Sequence, residues 1–315
     1  MRAAQRICSL LPSATEIVCA LGLEDRLVGV THECDYPPQM ASVPRITSSV
    51  IPTDSLSSRE IDGAVRDALA DQATIYRLNG DLLETLQPDL ILTQEVCEVC
   101  AVGPDEVKRA VSQLTDPPDI VSLEPHSLDE VLDSILLVGA LTDARADALA
   151  LVRDCRARME SVRQAVASAG RPRVLTLEWI DPVFVGGHWV PEMVEIAGGV
   201  DVLGAAGRLS REAGWDEVAA SRPDVVVVML CGFDLPRSVE EMRRLQLPPQ
   251  WHELPAVRNG RIYVTDGSAH FSRPGPRLID GTEVLATLLH PDAFARAPGR
   301  AFERLDGTIG VKSGR

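Results

Sequence analysis

The chain has 315 residues, 45% of them hydrophobic, with a mean hydropathy of +0.03; that is enough chain for two hydrophobic cores, and no apolar run approaches the ~20 residues that span a bilayer. Its 31 basic and 46 acidic residues leave a formal charge of −15, and the missing basic stripe argues against a nucleic-acid partner. Seven scattered cysteines fit a reducing compartment rather than a disulfide scaffold.

Strands alternate with helical stretches along the chain, which predicts a mainly parallel sheet. The first strand, "RICSLL" (6–11), follows Arg2 and Arg6. Its apolar part is too short for a signal peptide, so the expected location is cytoplasmic. The turn "PSATEI" follows, in which Ser13 with Glu16 three residues on has the form of a helix N-cap. The same helix start offers backbone N–H groups to a ligand. "RLVGVT" (26–31) leads into "THECDYPP", where Tyr36, before Pro37 and Pro38, presents a flat apolar face with a polar tip.

"PDLILT" (88–93) leads into "QEVCEVCAVG", which places Gln94, Glu95, Cys97 and Cys100 after a strand. Three readings stand for the C-x-x-C: the wall of a pocket, a zinc site completed by His32 and Cys34, or a redox pair. A strong zinc sequence shows a second matched pair of ligands. A redox pair normally has a neighbour that lowers a thiol pKa, and nothing basic flanks Cys97. The pocket wall is the favoured reading.

After "DIVSL" comes the most helical stretch, which sets the expected domains: an N-terminal α/β lobe over 1–126, a connecting backbone helix over 127–169, a C-terminal α/β lobe over 170–290 and a tail over 291–315. Ser127 with Glu130 makes a capping box, and Asp143 is the one expected interruption. The strands of the second lobe are "RVLTLEW", "PDVVVVML" and "RIYVTD". "QPDLILT" and "RPDVVVVML" repeat one αβ joint, in which Pro ends a helix and forces an extended residue before a buried strand. Ligands of such sheets bind beyond the carboxyl ends of the strands. That places Trp179, Ile180, His188 and Trp189 at a candidate site, with Phe233 after the next strand and His270, Phe271 and Arg273 after the last. Gly186 and Gly187 permit close backbone approach there. Trp215 and Trp251 read as packing anchors, and His126, His252 and His290 have no partner in the pattern.

The phrases "RICSLLPSATEIVCALGLEDRLVGVTHECDYPP", "LLETLQPDLILTQ", "GGHWVPEMVEIAGGVDVLG", "WDEVAASRPDVVVVM" and "LPAVRNGRIYVTDG" resemble the cobalamin-type substrate-binding proteins of ABC importers. The resemblance covers roughly residues 6–290. It implies two parallel-sheet α/β lobes joined by one long backbone helix, the class III periplasmic-binding-protein-like fold, with a corrinoid in the cleft between the lobes. It implies cleft contacts for Cys34, Asp35 and Tyr36, an aromatic against the ligand at Trp179, and matches to a family aromatic and arginine at Phe271 and Arg273. His270 falls where the family often has an aromatic; a neutral imidazole there suits cobalt or haem iron. Two features depart from the family: the start reads as a strand rather than an export signal, and the C-x-x-C is additional.

No nucleophile elbow, Walker loop, metalloprotease helix or dinucleotide fingerprint is present. The expectation is a binder, carrier or sensor, of a cobalamin-like corrinoid, requiring no cofactor of its own and making no membrane insertion. An ABC transporter is the partner that the resemblance implies, while the missing export signal argues against one. The alternatives are a haem or metal-chelate binder, or a zinc or redox protein built on Cys97 and Cys100.

Overall fold

The computed structural model describes residues 3–72, 75–94, 104–112, 116–296 and 301–305. The chain divides into two compact units, Met1–Pro125 with Asp129–Asp154, and His126–Leu128 with Cys155–Arg315.

The first unit holds strands β1 (Ile7–Ser9), β2 (Leu27–Val30), β3 (Thr47–Ser49), β4 (Tyr76–Leu78), β5 (Leu90–Thr93) and β6 (Asp119–Ser122). Its helices are α1 (Pro12–Ala20), α2 (Ser58–Gln72), α3 (Gly80–Leu86), α4 (Pro104–Val111) and α5 (Leu128–Leu141). A four-stranded parallel sheet runs in the order β2-β1-β5-β6, and β3 and β4 form a separate antiparallel pair. The four strands of the main sheet are the four read from sequence. The two central strands, β1 and β5, are short apolar runs buried on both faces, as parallel strands are, with Ile7, Cys8, Ile91 and Leu92 fully buried, while β6 at the sheet edge is only part-buried.

The second unit contains β7 (Arg173–Ile180), β8 (Val183–Val185), β9 (Val200–Asp201), β10 (Arg211–Glu212), β11 (Val225–Val228), β12 (Ile262–Thr265) and β13 (Phe302–Leu305). Helix α6 (Arg145–Val166) carries the division between the units, at Asp154/Cys155. Then come α7 (Val190–Ile196), α8 (Trp215–Ser221), α9 (Leu235–Arg244), α10 (Pro249–Glu253), α11 (Pro255–Arg258), α12 (Gly267–His270) and α13 (Leu278–Leu289). The sheet order is β10-β8-β7-β11-β12-β13, with β9 pairing to β7 in parallel.

The parallel path β9-β7-β11-β12 repeats the path β2-β1-β5-β6 of the first unit. In each, the chain leaves its first strand to one side and returns on the other. The joint that enters the third strand is copied closely. Gln87 and Arg222, the residues capping α3 and α8, both take the left-handed conformation with φ 44 and ψ 61. Pro88 and Pro223 follow them. The next residue then grips the entry to the first strand: Asp89 accepts from the backbone N–H of Gln5 and Arg6, and Asp224 from that of Arg173, at 2.8 to 3.1 Å. An arginine at that entry returns to the helix end. Arg6 donates to the Leu86 and Gln87 carbonyls, and Arg173 to those of Ser221 and Arg222. These are the orphan carbonyls that every helix C-terminus leaves.

Two expectations are corrected. The stretch 127–169 is two helices, because Thr142 to Ala144 breaks it. Asp143 sits at φ 60 and the Ala144 N–H returns to the Gly139 carbonyl at 2.8 Å, the bond that ends a helix in a Schellman motif. Second, the stretch expected as a tail supplies β13, an antiparallel edge strand paired with β12 from Ile262↔Leu305 to Thr265↔Phe302.

Candidate ligand-binding site

In the first unit the chain reverses direction across the sheet between β1 and β5, and ligands of open α/β sheets bind outside the carboxyl ends of the strands at such a point. The loop after β1 enters α1 at Pro12, with Leu11 as the cap residue and no side chain capping the helix. Ser13 is therefore inside the first turn, and the capping box expected from Ser13 and Glu16 does not form. Proline explains the shift: its fixed φ suits the first helical position, and its missing N–H is one the helix would leave unpaired. Ser13 and Thr15 are buried, and Thr15 Oγ1 lies 3.0 Å from Cys34 Sγ. The thiol of Cys34 is thus enclosed against α1.

Beyond β2, Asp35 is exposed and Tyr36 is 44% exposed before a cis peptide bond to Pro37. His32 is part-buried and bound to β3: its Nδ1 lies 2.8 Å, and its backbone N 3.1 Å, from Thr47 Oγ1. The Tyr76 ring packs on the imidazole at 5.4 Å and its hydroxyl donates to Glu33 at 3.2 Å. Burial and the Arg45 charge hold His32 below the usual histidine pKa. Thr93, the last residue of β5, is buried, and Gln94 just beyond it is part-buried. Glu95, Cys97 and Cys100 lie outside the described residues. Among the described residues no group of three or more His, Cys, Asp or Glu side chains forms a metal site, so His32 and Cys34 alone remain of the zinc set.

In the second unit the strand ends build an aromatic layer. Trp179, near the end of β7, is part-buried and meets Phe233 edge-on at 5.2 Å. The Arg237 guanidinium stands 3.8 Å over the other partner of that pair, the Phe233 ring, a cation–π contact that fixes the phenyl group. Ile180 is buried and pairs with Val183 in the β7–β8 hairpin, so it packs the core instead of facing a ligand. Trp189 is buried and donates its indole N–H to the Phe271 carbonyl at 2.8 Å. Phe271 is buried as well, with His270 part-buried and edge-on to it at 6.5 Å. Arg273 is part-buried on the next turn.

Two carboxylates tie loops beside β7, and one of them, Glu178, holds the loop that leads into His188 and Trp189. Glu178 accepts from the Gly187 N–H at 2.9 Å and from the Ser210 hydroxyl. Asp201 accepts from Thr176 at 2.6 Å and from the N–H groups of Leu203 and Gly204. Burial outweighs these bonds and pushes Glu178 up to about 7, with Asp201 raised in the same direction. Gly187 passes so close to the Ser210 backbone that a Cβ there would meet Ser210 N and lie 2.7 Å from the Arg208 carbonyl. The next residue, His188, takes φ 49 and stacks on His126, with centroids 5.8 Å apart and planes 9° apart. Burial and His126 lower the His188 pKa. Sequence reasoning found no partner for His126. Their 62-residue separation leaves no local pattern, although His188 next to Gly-Gly marks a constrained loop.

The sequence profile described as "Periplasmic binding protein" matches residues 7–269. The vitamin B12-binding protein of Vibrio cholerae is 26% identical over 289 residues, covering 91% of this chain and 89% of its own. An uncharacterised ABC transporter substrate-binding lipoprotein of Bacillus subtilis, YvrC, is 25% identical over 303 residues, covering 92% and 81%. Among solved structures, a periplasmic heme binding protein from Pseudomonas aeruginosa superposes with a TM-score of 0.68 at 22% identity, covering 94% of this chain and all (100%) of its own.

Proposed function

The chain belongs to the periplasmic binding protein family, and we propose that its ligand is a cobalamin-like corrinoid, which it carries or senses. Its relatives along most of its length are substrate-binding proteins, and it is a binding protein rather than a catalyst. The observation that carries the corrinoid reading is the ring layer at the strand ends of the second unit. Trp179 stays part-buried with its ring edge-on to Phe233, and the Arg237 guanidinium covers the Phe233 ring. A large flat ligand gains most from such a rigid aromatic surface, because little side-chain entropy is lost on binding. The B12-binding relative supports the same choice.

Haem is the second reading, favoured by the solved heme-binding structure of the same fold. Titration with cyanocobalamin and with haemin, followed by quenching of tryptophan fluorescence, separates the two. Saturable quenching by the corrinoid at lower concentration than by haemin supports the first, and the reverse order replaces it with the second. An ABC transporter is the partner this function implies, by analogy with the Bacillus subtilis relative.

A further inference from the structure

One face of α1, in the first unit, gathers three sulfur side chains. Thr15 and Cys19 stand one turn apart on that helix, so their side chains share a face. Cys34, from the loop after β2, lays its Sγ 3.0 Å from Thr15 Oγ1. Met40, from the helical turn Pro38–Ser42 of the same loop, brings its Sδ to 3.7 Å from Cys19 Sγ. Cys34 and Met40 are buried and Cys19 is part-buried. After burial itself, Glu24, Cys34 and Glu16 in that order raise the Cys19 pKa, which places all three within electrostatic reach of that sulfur.

Core packing alone would account for buried cysteines and a gap-filling methionine, but three details go beyond it. The Cys19 thiol directs its proton at Met40 Sδ across 3.7 Å, and two sulfurs bound tetrahedrally to one ion at ~2.3 Å stand roughly 3.8 Å apart. Thr15 Oγ1 also lies 3.4 Å from the Leu11 carbonyl. Its one proton can therefore serve that oxygen beside a Cys34 thiol, or turn to a Cys34 thiolate. Near Cys19, Glu24 Oε2 is buried without a hydrogen-bond partner among the described residues, a field that favours a cation. Two thiols and a thioether are soft donors, the set that selects copper(I) over harder ions. No third His, Cys, Asp or Glu joins the cysteines among the described residues, so the thioether is the third donor. We propose that Cys19, Cys34 and Met40 bind one soft monovalent ion of the copper(I) class. On binding, the two S–H bonds break, two metal–sulfur bonds replace them and a Met40 lone pair completes the set. Both protons pass to solvent and the metal keeps its oxidation state. The site lies wholly in the first unit and stands independently of the macrocycle function.

The test uses the full chain carrying Cys97→Ser and Cys100→Ser, so that the C-x-x-C supplies no ligand. Copper(I) is titrated without oxygen against a coloured copper(I) chelator, and the ligand shell is read by X-ray absorption. The expected result is one equivalent of copper held against the chelator, with a first shell of sulfur alone. Met40→Leu, which conserves the volume of the core, should lower the affinity by at least the roughly tenfold that losing a mere supporting contact costs. Cys19→Ser should abolish retention, and circular dichroism like the parent's shows that each variant is folded. Should Cys19→Ser fail to fold, Met40→Leu decides alone. Copper held as tightly by Met40→Leu as by the parent overturns the assignment. So does a first shell containing nitrogen or oxygen, or a double-serine chain that retains no copper.

Discussion

Replacing Glu178 by glutamine tests whether burial or hydrogen bonding governs this carboxyl. The two bonds from Gly187 and Ser210 favour the charged form, and burial with the nearby Asp201 favours the neutral one. Burial wins, placing the folded pKa at about 7 against an ordinary 4.5. A carboxyl raised in the folded state binds more protons there than when unfolded. Its stabilising contribution is complete below the unfolded value and is lost as pH rises through the folded one. At about 1.4 kcal/mol per pKa unit, the two and a half units correspond to about 3 kcal/mol at most between pH 4.5 and 8. All four tryptophans, Trp179, Trp189, Trp215 and Trp251, belong to the second unit, so tryptophan fluorescence during thermal unfolding reports that unit. The parent's midpoint should fall by roughly 6 to 12 °C more than that of Glu178→Gln between pH 5 and pH 8. Glu178→Gln also removes the charge beside Asp201, so the difference between the two profiles reports the coupled pair. Parallel pH profiles would refute the reasoning and show that the two hydrogen bonds offset the burial.

Three further outcomes follow from named contacts. Asp89→Asn and Asp224→Asn keep the shape of the repeated joint but lose the charge that grips the strand entry, and each should cost about 1 kcal/mol in urea unfolding. Because the joint recurs, the two costs should agree within a factor of about two, and a silent variant at either place would deny its role. Gly187→Ala drives a Cβ into the Ser210 backbone and should destabilise by about 1 to 3 kcal/mol, while Gly63→Ala, where nothing lies within 4 Å, should be neutral or stabilise its helix by up to about 1 kcal/mol. Arg158→Ala removes a guanidinium that spans Glu283 at 2.9 Å and Asp280 at 2.5 Å. It should lower stability by about 1 to 2 kcal/mol, and a loss independent of salt would show that packing rather than charge joins α6 to α13.

Much of the fold was legible because parallel strands announce themselves: "RICSLL", "PDLILT" and "PDVVVVML" are apolar runs punctuated by proline or turn residues. The repeated Pro-Asp phrase carried real structure, down to matching dihedrals. What stayed hidden is short or tertiary. β9 and β10 have two residues each, too few for any alternation, and β13 follows a Pro-rich stretch that reads as a tail. Ser13 was misplaced because the S-x-x-E signature gave no weight to the proline one residue earlier. At the site, Trp179 and Phe233 could be nominated from their positions at or just after strand ends. That Ile180 would turn into the core depended on the β7–β8 hairpin, and the His126–His188 stack on folding alone.

The central claim is that the chain holds a corrinoid against its strand-end aromatics. Titration of purified, metal-free protein with cobalamin, read by tryptophan fluorescence and by the corrin absorbance bands, tests it most directly. Saturable quenching at micromolar ligand is expected, with Trp179→Ala weakening binding by about 2 kcal/mol, roughly thirtyfold. A parent protein whose fluorescence and corrin bands do not change with added cobalamin would contradict it.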